Sequence, residues 1–329
     1  MKVFIAEAHP GIPEIGIVSG VSTRFQQPIK DNLLSLAKNV FTADIILVPH
    51  DSFDFVRVVD YVKYVREISR LKPLIIFDTG DFPKNIKIKN SIAIRSAINP
   101  GESHNNKIIS PYNVLSLAHL PYRDFRKLPT IGFMGHVPRI IAPRRLVKSM
   151  IQSPHHPVSG NGSIVRRIAL RQVEKQIENF KFTVRDHPNT SPDSEILRKI
   201  ERIEYVDAIK NLDIGLAPRG DANQSLRLYE LLSAGRIPLV PNTQIKFPKI
   251  SEDQLWQRKI ISFNLFTNKL NEIISYYWSE VGSKSSYHKL QLSLRNLFLN
   301  HLEYNIFMTK LFDLQVDNFL KLANFNSNE

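Results

Sequence analysis

Short apolar runs alternate along the first hundred residues with longer stretches in which apolar side chains recur every three to four positions. KVFIAEA, ADIILVP and PLIIFDTGD have the length and composition of buried strands, and the stretches near Pro28 to Asn39 and from Phe55 to Arg70 have helical spacing. Strand and helix in alternation predict parallel βαβ units. SIAIRSA and NVLSLAHLP extend the strand series, and the proline-spaced, basic PYRDFRKLP reads as a linker. The pattern then repeats with strand TIGFMG, helices at Arg144 to Gln152 and around Ile164 to Asn179, and strand KFTVRD. From Phe266 onward the pattern is mostly helical, with Tyr276, Tyr277 and Trp278 followed by Leu290 to Phe319. The chain of 329 residues exceeds what one core usually holds. The expectation is an α/β protein of two Rossmann-like domains, residues 1–128 and 129–329.

The segment from Tyr205 to Pro248 carries the densest chemistry. A short apolar strand, DIGLAP, ends in Pro218-Arg219-Gly220, where glycine lets backbone amides approach an anion. Asp221 or Asn223 is expected to cap the helix that follows, Leu228, Leu231 and Leu232 form its buried face, and Gly235 stops it. Arg227 and Glu230, three residues apart, share a helical face near the N-terminal end, where free amides and the macrodipole favour phosphate. Arg219, Arg227 and the amides of the turn around Gly220 would take a diphosphate. Glu230 would accept from ribose hydroxyls, and Ser225 would add one hydroxyl contact. Spacing alone is equally satisfied by an exposed Arg227–Glu230 helical pair worth about 0.3 kcal/mol.

Ser225, Arg227, Glu230, Gly235, Arg236, Ile237 and Pro238 together resemble the C-terminal signature of the exostosin-like glycosyltransferases, family GT47. Upstream, Ile131 to His136 resembles that family's F-x-G strand end, with Arg144-Arg145-Leu146 following. Downstream, Phe247-Pro248 and Trp256 fall at its P-F and W positions. The resemblance covers residues 110 to 275 well and the N-terminal hundred loosely. It implies a GT-B fold, two Rossmann-like domains facing a cleft, with the last helix returning to the first domain. It also implies transfer of a sugar, with inversion, from a nucleotide-sugar donor to a hydroxyl of a surface glycan or lipid-linked acceptor. Donor contacts are implied at Arg219, Arg227 and Glu230, with Gly135 and His136 on the opposite wall. Arg139 and Arg145 follow that strand end as candidates to reach the diphosphate. Arg185, closing strand KFTVRD, either faces the donor or forms a local ion pair with its loop. A GT-B transferase of other stereochemistry or donor, and a catalytically silent glycan-binding or partner module, are the competing readings.

The proton of the acceptor hydroxyl needs a base, and loops at strand ends of the first domain offer Glu7, His9, His50, Asp51, Asp78 and Asp81. Asp81, after a buried strand, is the first choice and Asp51 the second, although an Asp in such a place commonly closes a turn. No Asp-x-Asp pair occurs and His155-His156 stands without evident partners, so no metal and no other cofactor is expected. Forty-four Lys and Arg against 31 Asp and Glu leave a net charge of +13. An anionic donor uses few of these charges, whereas contact with an anionic membrane or glycan would use more. No nucleic-acid-binding motif accompanies the basic clusters, and specific nucleic-acid binding is not expected. There is no cysteine, no long apolar span and no extended apolar region near Met1, so a cytoplasmic protein, peripheral to the membrane at most, is expected.

Overall fold

The computed structural model describes residues 1–12, 34–51, 56–78, 88–100, 102, 106–137, 143, 147, 158–178, 180–185, 195–250 and 255–313. The first sheet is built from β1 (Lys2–Ile5), β2 (Ser35–Leu36), β3 (Ile45–Val48), β4 (Leu74–Asp78), β5 (Ser91–Arg95) and β6 (Lys107–Ile109). Its order is β2-β1-β3-β4-β5-β6, with every neighbouring pair parallel. The second is built from β7 (Ile131–His136), β8 (Phe180–Arg185), β9 (Ile214–Leu216), β10 (Ile237–Pro241) and β11 (Ile261–Phe263). Its order is β11-β10-β9-β7-β8, again parallel throughout. Helix α1 (Val59–Ser69) belongs to the first sheet. The second half carries α2 (Gly162–Gln176), α3 (Glu195–Lys210), α4 (Leu226–Ser233), α5 (Leu270–Val281) and α6 (Lys284–Leu297), and residues 304–313 form α7.

The continuous apolar runs of the first half are explained by a sheet covered on both faces. Ile45, Leu47, Ile75 and Phe77 enter one core, while Ile46, Val48, Leu74 and Ile76 enter another beneath Tyr61, Val65 and Ile68 of α1. The first of these cores is closed by Tyr304, Phe307, Met308, Leu311 and Phe312 of α7, spaced to form one helical stripe. The tail therefore crosses back onto the first sheet, as expected. Asn223, beyond the C-terminal end of β9, donates to Ile98 O at 3.1 Å, beyond the C-terminal end of β5. The carboxyl edges of the two sheets thus meet, and the fold is GT-B.

Three local expectations fail for identifiable reasons. Of the stretch expected to be helical near Pro28 to Asn39, the described part contains β2, because Ser35 N and Ala37 N bond to the edge of β1 at Met1 O and Val3 O. NVLSLAHLP is no strand: Leu117 and Leu120 plug the second core, and Leu117 N donates to Ser233 Oγ at 2.9 Å. Its apolar spacing reflects two anchors of an irregular segment. Asn223 does not cap α4, since its side chain spans Ile98 O, Thr243 O and Thr243 Oγ1 instead. The helix of Arg144 to Gln152 lies outside the described residues apart from position 147, which is helical, as is position 143 just before it.

Gly235 does stop α4. Its φ of 69° is the left-handed conformation glycine tolerates, and the amides of Gly235 and Arg236 return to Leu232 O and Leu231 O at 3.0 and 2.8 Å. A Cβ there would come within 2.8 Å of Gln291 O, so the same glycine lets α6 pack closely.

Candidate functional site

In each sheet the chain lays its second strand on one side of its first and its third on the other. The two switch points lie at the carboxyl ends of β1 and β3 and of β7 and β9, where open α/β sheets take ligands. At the second switch point, Gly135 and His136 end β7 and Ala217 to Gly220 leave β9. Arg166 of α2 bridges the two strand ends, donating from Nη1 to His136 O at 3.2 Å and from Nε to Arg219 O at 3.1 Å. Arg219 is 3% exposed and donates to the carbonyls of Ser159, Asp221 and Gly220 at 2.7, 2.7 and 3.3 Å, which fixes the corner. Burial lowers its pKa to about 10, so it stays charged at neutral pH. The start of α2 reaches this corner because Gly162 has no Cβ, which would overlap Gly220 O.

Helix α4 enters from the same edge. Ser225 takes its N-cap position in extended conformation without a side-chain capping bond, which leaves the first-turn amides uncapped by a side chain. Arg227 turns toward β7: its Nη2 donates to Met134 O at 2.6 Å and its guanidinium lies 4.5 Å above the Phe133 ring and 5.8 Å from the Tyr205 ring. Glu230 is 8% exposed, with Oε1 accepting from Arg202 Nη1 and Oε2 from Tyr205 OH, both at 2.5 Å. Burial, reinforced by the Glu230 charge, pushes the Tyr205 hydroxyl well above its ordinary pKa, so it remains a donor. Arg227 Nε and Arg202 Nη2 are buried and have no hydrogen-bond partner among the described residues. Among the described residues, two guanidinium N–H groups beside one carboxylate are thus left without an acceptor.

Gly135 is required for this geometry, because a Cβ on it would overlap Arg227 Nη2. Gly135→Ala is expected to displace the guanidinium from Met134 O and to lower folding stability by about 1.5–3 kcal/mol, the loss of one buried charge-assisted bond. Urea unfolding of the variant checks this, and an unaltered stability would show that Arg227 does not depend on that approach.

Of the remaining residues singled out above, His136 pairs through Nδ1 with Arg185 O at 3.1 Å. Arg185 in turn donates to Glu201 O and pairs with the Glu201 carboxylate at 3.3 Å, which ties the end of β8 to α3. Asp81, Arg139 and Arg145 lie outside the described residues. Asp51 follows β3 half-buried at the first sheet's switch point. Beside it, His50 is fully buried and accepts from His9 N at 3.2 Å, while His9 pairs with Asp60 at 2.8 Å. His9 also accepts from Gly11 N through Nδ1, so both of its ring nitrogens are engaged. Asp78 is buried in an ion pair with Arg95 at 3.0 Å, a fold-building contact. Among the described residues no three Asp, Glu or His side chains converge as a metal cradle.

The residues that spacing did not reveal are Arg166, Arg202 and Tyr205. Arg202 and Tyr205 sit three apart on α3, the one pattern that could have flagged them as sharing a helical face.

No protein-family model matches the sequence, and no curated protein matches it. Solved structures resemble it loosely. A glycosyltransferase from Rickettsia africae is 11% identical, covers 98% of each chain and has a TM-score of 0.40. The lipopolysaccharide outer core galactosyltransferase WaaB is 13% identical, covers 95% of this chain and 99% of its own, and has a TM-score of 0.44. WaaG, a glycosyltransferase of lipopolysaccharide biosynthesis, is 7% identical over 95% and 99% with a TM-score of 0.35. The fold assignment rests on the strand orders and the facing sheet edges of this chain.

Proposed function

We propose that the protein is a glycosyltransferase that holds a nucleotide-sugar at the second sheet's switch point and transfers the sugar to a hydroxyl of a glycan or lipid-linked acceptor. The observation that carries the reading is the set of guanidinium N–H groups of Arg227 and Arg202 that have no acceptor among the described residues, beside the buried Glu230 carboxylate, at the edge facing the first sheet. A diphosphate oxygen supplies the acceptor that Arg227 Nε lacks, and the uncapped amides of α4 add to its binding. A carboxylate has about four acceptor positions, so Glu230 takes ribose hydroxyls beside or in place of the Arg202 contact. Arg219 and Gly220 act through the shape of the corner, and Ser225 lies next to it.

In this reading residues 1–128 receive the acceptor and residues 129–329 hold the donor. The acceptor oxygen attacks the anomeric carbon, the nucleoside diphosphate leaves, and its charge is met by guanidinium groups and helix-end amides without a metal. Asp81 or Asp51 takes the acceptor's proton, and the configuration inverts as the exostosin-like resemblance implies. Among the described residues no helix is long and apolar enough to cross a membrane. An acceptor on a cytoplasmic membrane surface would be reached peripherally, through the surplus of basic residues.

A thermal-shift series with UDP, GDP, CMP and dTDP tests the donor site. One nucleotide at a hundredfold excess over its dissociation constant is expected to stabilise the fold by about 2.7 kcal/mol. If none of the four raises the melting temperature at millimolar concentration, the reading fails. Slow hydrolysis of the matching nucleotide-sugar without acceptor separates an active enzyme from a silent binding module.

A further inference from the structure

Helix α3 is apolar on two opposite sides. Its inner side buries Tyr205 and Ile209 against the second sheet, at 4% and 2% exposure. On its outer side Ile196, Ile200 and Ile203 are 70%, 47% and 69% exposed. Their i, i+4, i+7 spacing sets them in one stripe opposite the buried pair, and the exposed Leu197 widens it. The strand that precedes α3, β8, is paired among the described residues with β7 alone, and its Phe182 and Val184 are exposed as well. Among the described residues nothing covers this face. Single exposed apolar side chains are ordinary, whereas a stripe of three isoleucines on a helix whose other side is already in the core marks a docking surface.

The polar residues that flank the stripe select the occupant. Ile196, Ile200 and Ile203 occupy successive d, a and d positions of a heptad, so Lys199 falls at g and Glu204 at e. In two parallel helices related by a two-fold axis, a g residue meets the e residue five positions later on the other helix, and here that pair is Lys199 with Glu204. Both side chains are exposed, at 71% and 58%, and each also pairs within its own chain, Lys199 with Glu195 at 2.8 Å and Glu204 with Arg185 at 3.7 Å. Along α3, Glu195, Glu201, Glu204 and Asp207 balance Arg198, Lys199, Arg202 and Lys210, so the helix offers an anionic bilayer no net attraction.

We propose that the outer face of α3 pairs with the same face of a second copy of this chain, the isoleucine stripes interlocking and Lys199 of each copy meeting Glu204 of the other. The proposal does not depend on the glycosyl-transfer reading. If both hold, dimerisation braces from outside the helix whose Arg202 and Tyr205 grip Glu230.

Sedimentation equilibrium of the full chain tests it. The protein is expected to show twice its monomer mass at tens of micromolar. Ile200→Asp, which places a charge on an exposed position, is expected to raise the dimer dissociation constant at least about 100-fold with an unchanged melting temperature of the monomer. Lys199→Glu alone is expected to weaken the dimer about threefold to tenfold by setting two carboxylates together, and Lys199→Glu combined with Glu204→Lys to restore it. A monomer at 100 micromolar overturns the proposal, as do a dimer insensitive to Ile200→Asp and a double charge swap that fails to restore association. A monomeric protein that co-sediments with phosphatidylglycerol–phosphatidylcholine vesicles through this face overturns it in favour of a membrane surface.

Discussion

Replacing Arg236 by methionine is expected to lower folding stability by about 3–5 kcal/mol, the cost of breaking a buried charged network. The residue is 0% exposed. Its guanidinium donates to Ile209 O, Lys210 O, Ala234 O, Pro121 O and Gln291 Oε1 at 2.9 to 3.3 Å. It thus joins the ends of α3 and α4, helix α6 and the segment that leads into β7. Close by, fully buried Asp213 accepts from Arg123 Nε, Thr130 N and Tyr287 OH at 2.8, 2.7 and 2.8 Å. Burial lowers the Arg236 pKa to about 10, yet the side chain remains charged at neutral pH and its charge is balanced by Asp213 nearby. Methionine fills much of the volume but takes the guanidinium from four backbone carbonyls and one side-chain amide oxygen, of which Ile209 O, Ala234 O and Gln291 Oε1 keep a second donor in Leu212 N, Arg295 Nη2 and Arg123 N. Arg236→Lys would not rescue the site, because one ammonium cannot reach acceptors spread over that fork. Urea unfolding measures the effect, and a loss under about 1 kcal/mol would show that water or neighbouring groups take over those acceptors. Under the proposed reading, nucleotide affinity of the folded variant is expected to be unchanged, since Arg236 lies away from the strand ends proposed to form the site.

Glu230→Ala is expected to have the largest effect on donor binding. It removes the acceptor of Tyr205 OH and of Arg202 Nη1. Under the proposed reading, loss of a charged hydrogen bond to ribose, about 1.5 kcal/mol, is expected to raise the nucleotide's dissociation constant about tenfold. Tyr205, buried and held in its protonated form, is left with an unpaired hydroxyl, which adds about 1–3 kcal/mol of folding cost. Isothermal titration with the responding nucleotide reads the first effect and chemical unfolding the second. A destabilised variant with unaltered nucleotide affinity would remove Glu230 from the donor site and leave it as an anchor of α3 on α4.

The local pattern carried much of the architecture. Apolar runs located β1, β3, β4, β5, β7, β8 and β9, and the helical spacing of Leu228, Leu231 and Leu232, ended by Gly235, located α4 with Arg227 and Glu230 on it. Where an apolar spacing fits two structures, tertiary contacts chose between them. NVLSLAHLP became an irregular plug because Ser233 Oγ and the second core receive it, and Ser35-Leu36 became a strand because the edge of β1 was open to pair.

The amino-acid order alone determined which stretches bury both faces and which bury one, and hence a two-sheet α/β chain with an anion-sized corner before an amphipathic helix. Only the tertiary structure decided what each charged group does. It brought Arg202 and Tyr205 of α3 onto Glu230, set Arg166 across the ends of β7 and β9, and enclosed Arg219 and Arg236 among backbone carbonyls. The physical reason is that periodicity reports the environment of a face, which is set over a few turns of chain. The partners of a guanidinium or carboxylate are fixed by groups that meet in space from distant strand and helix ends.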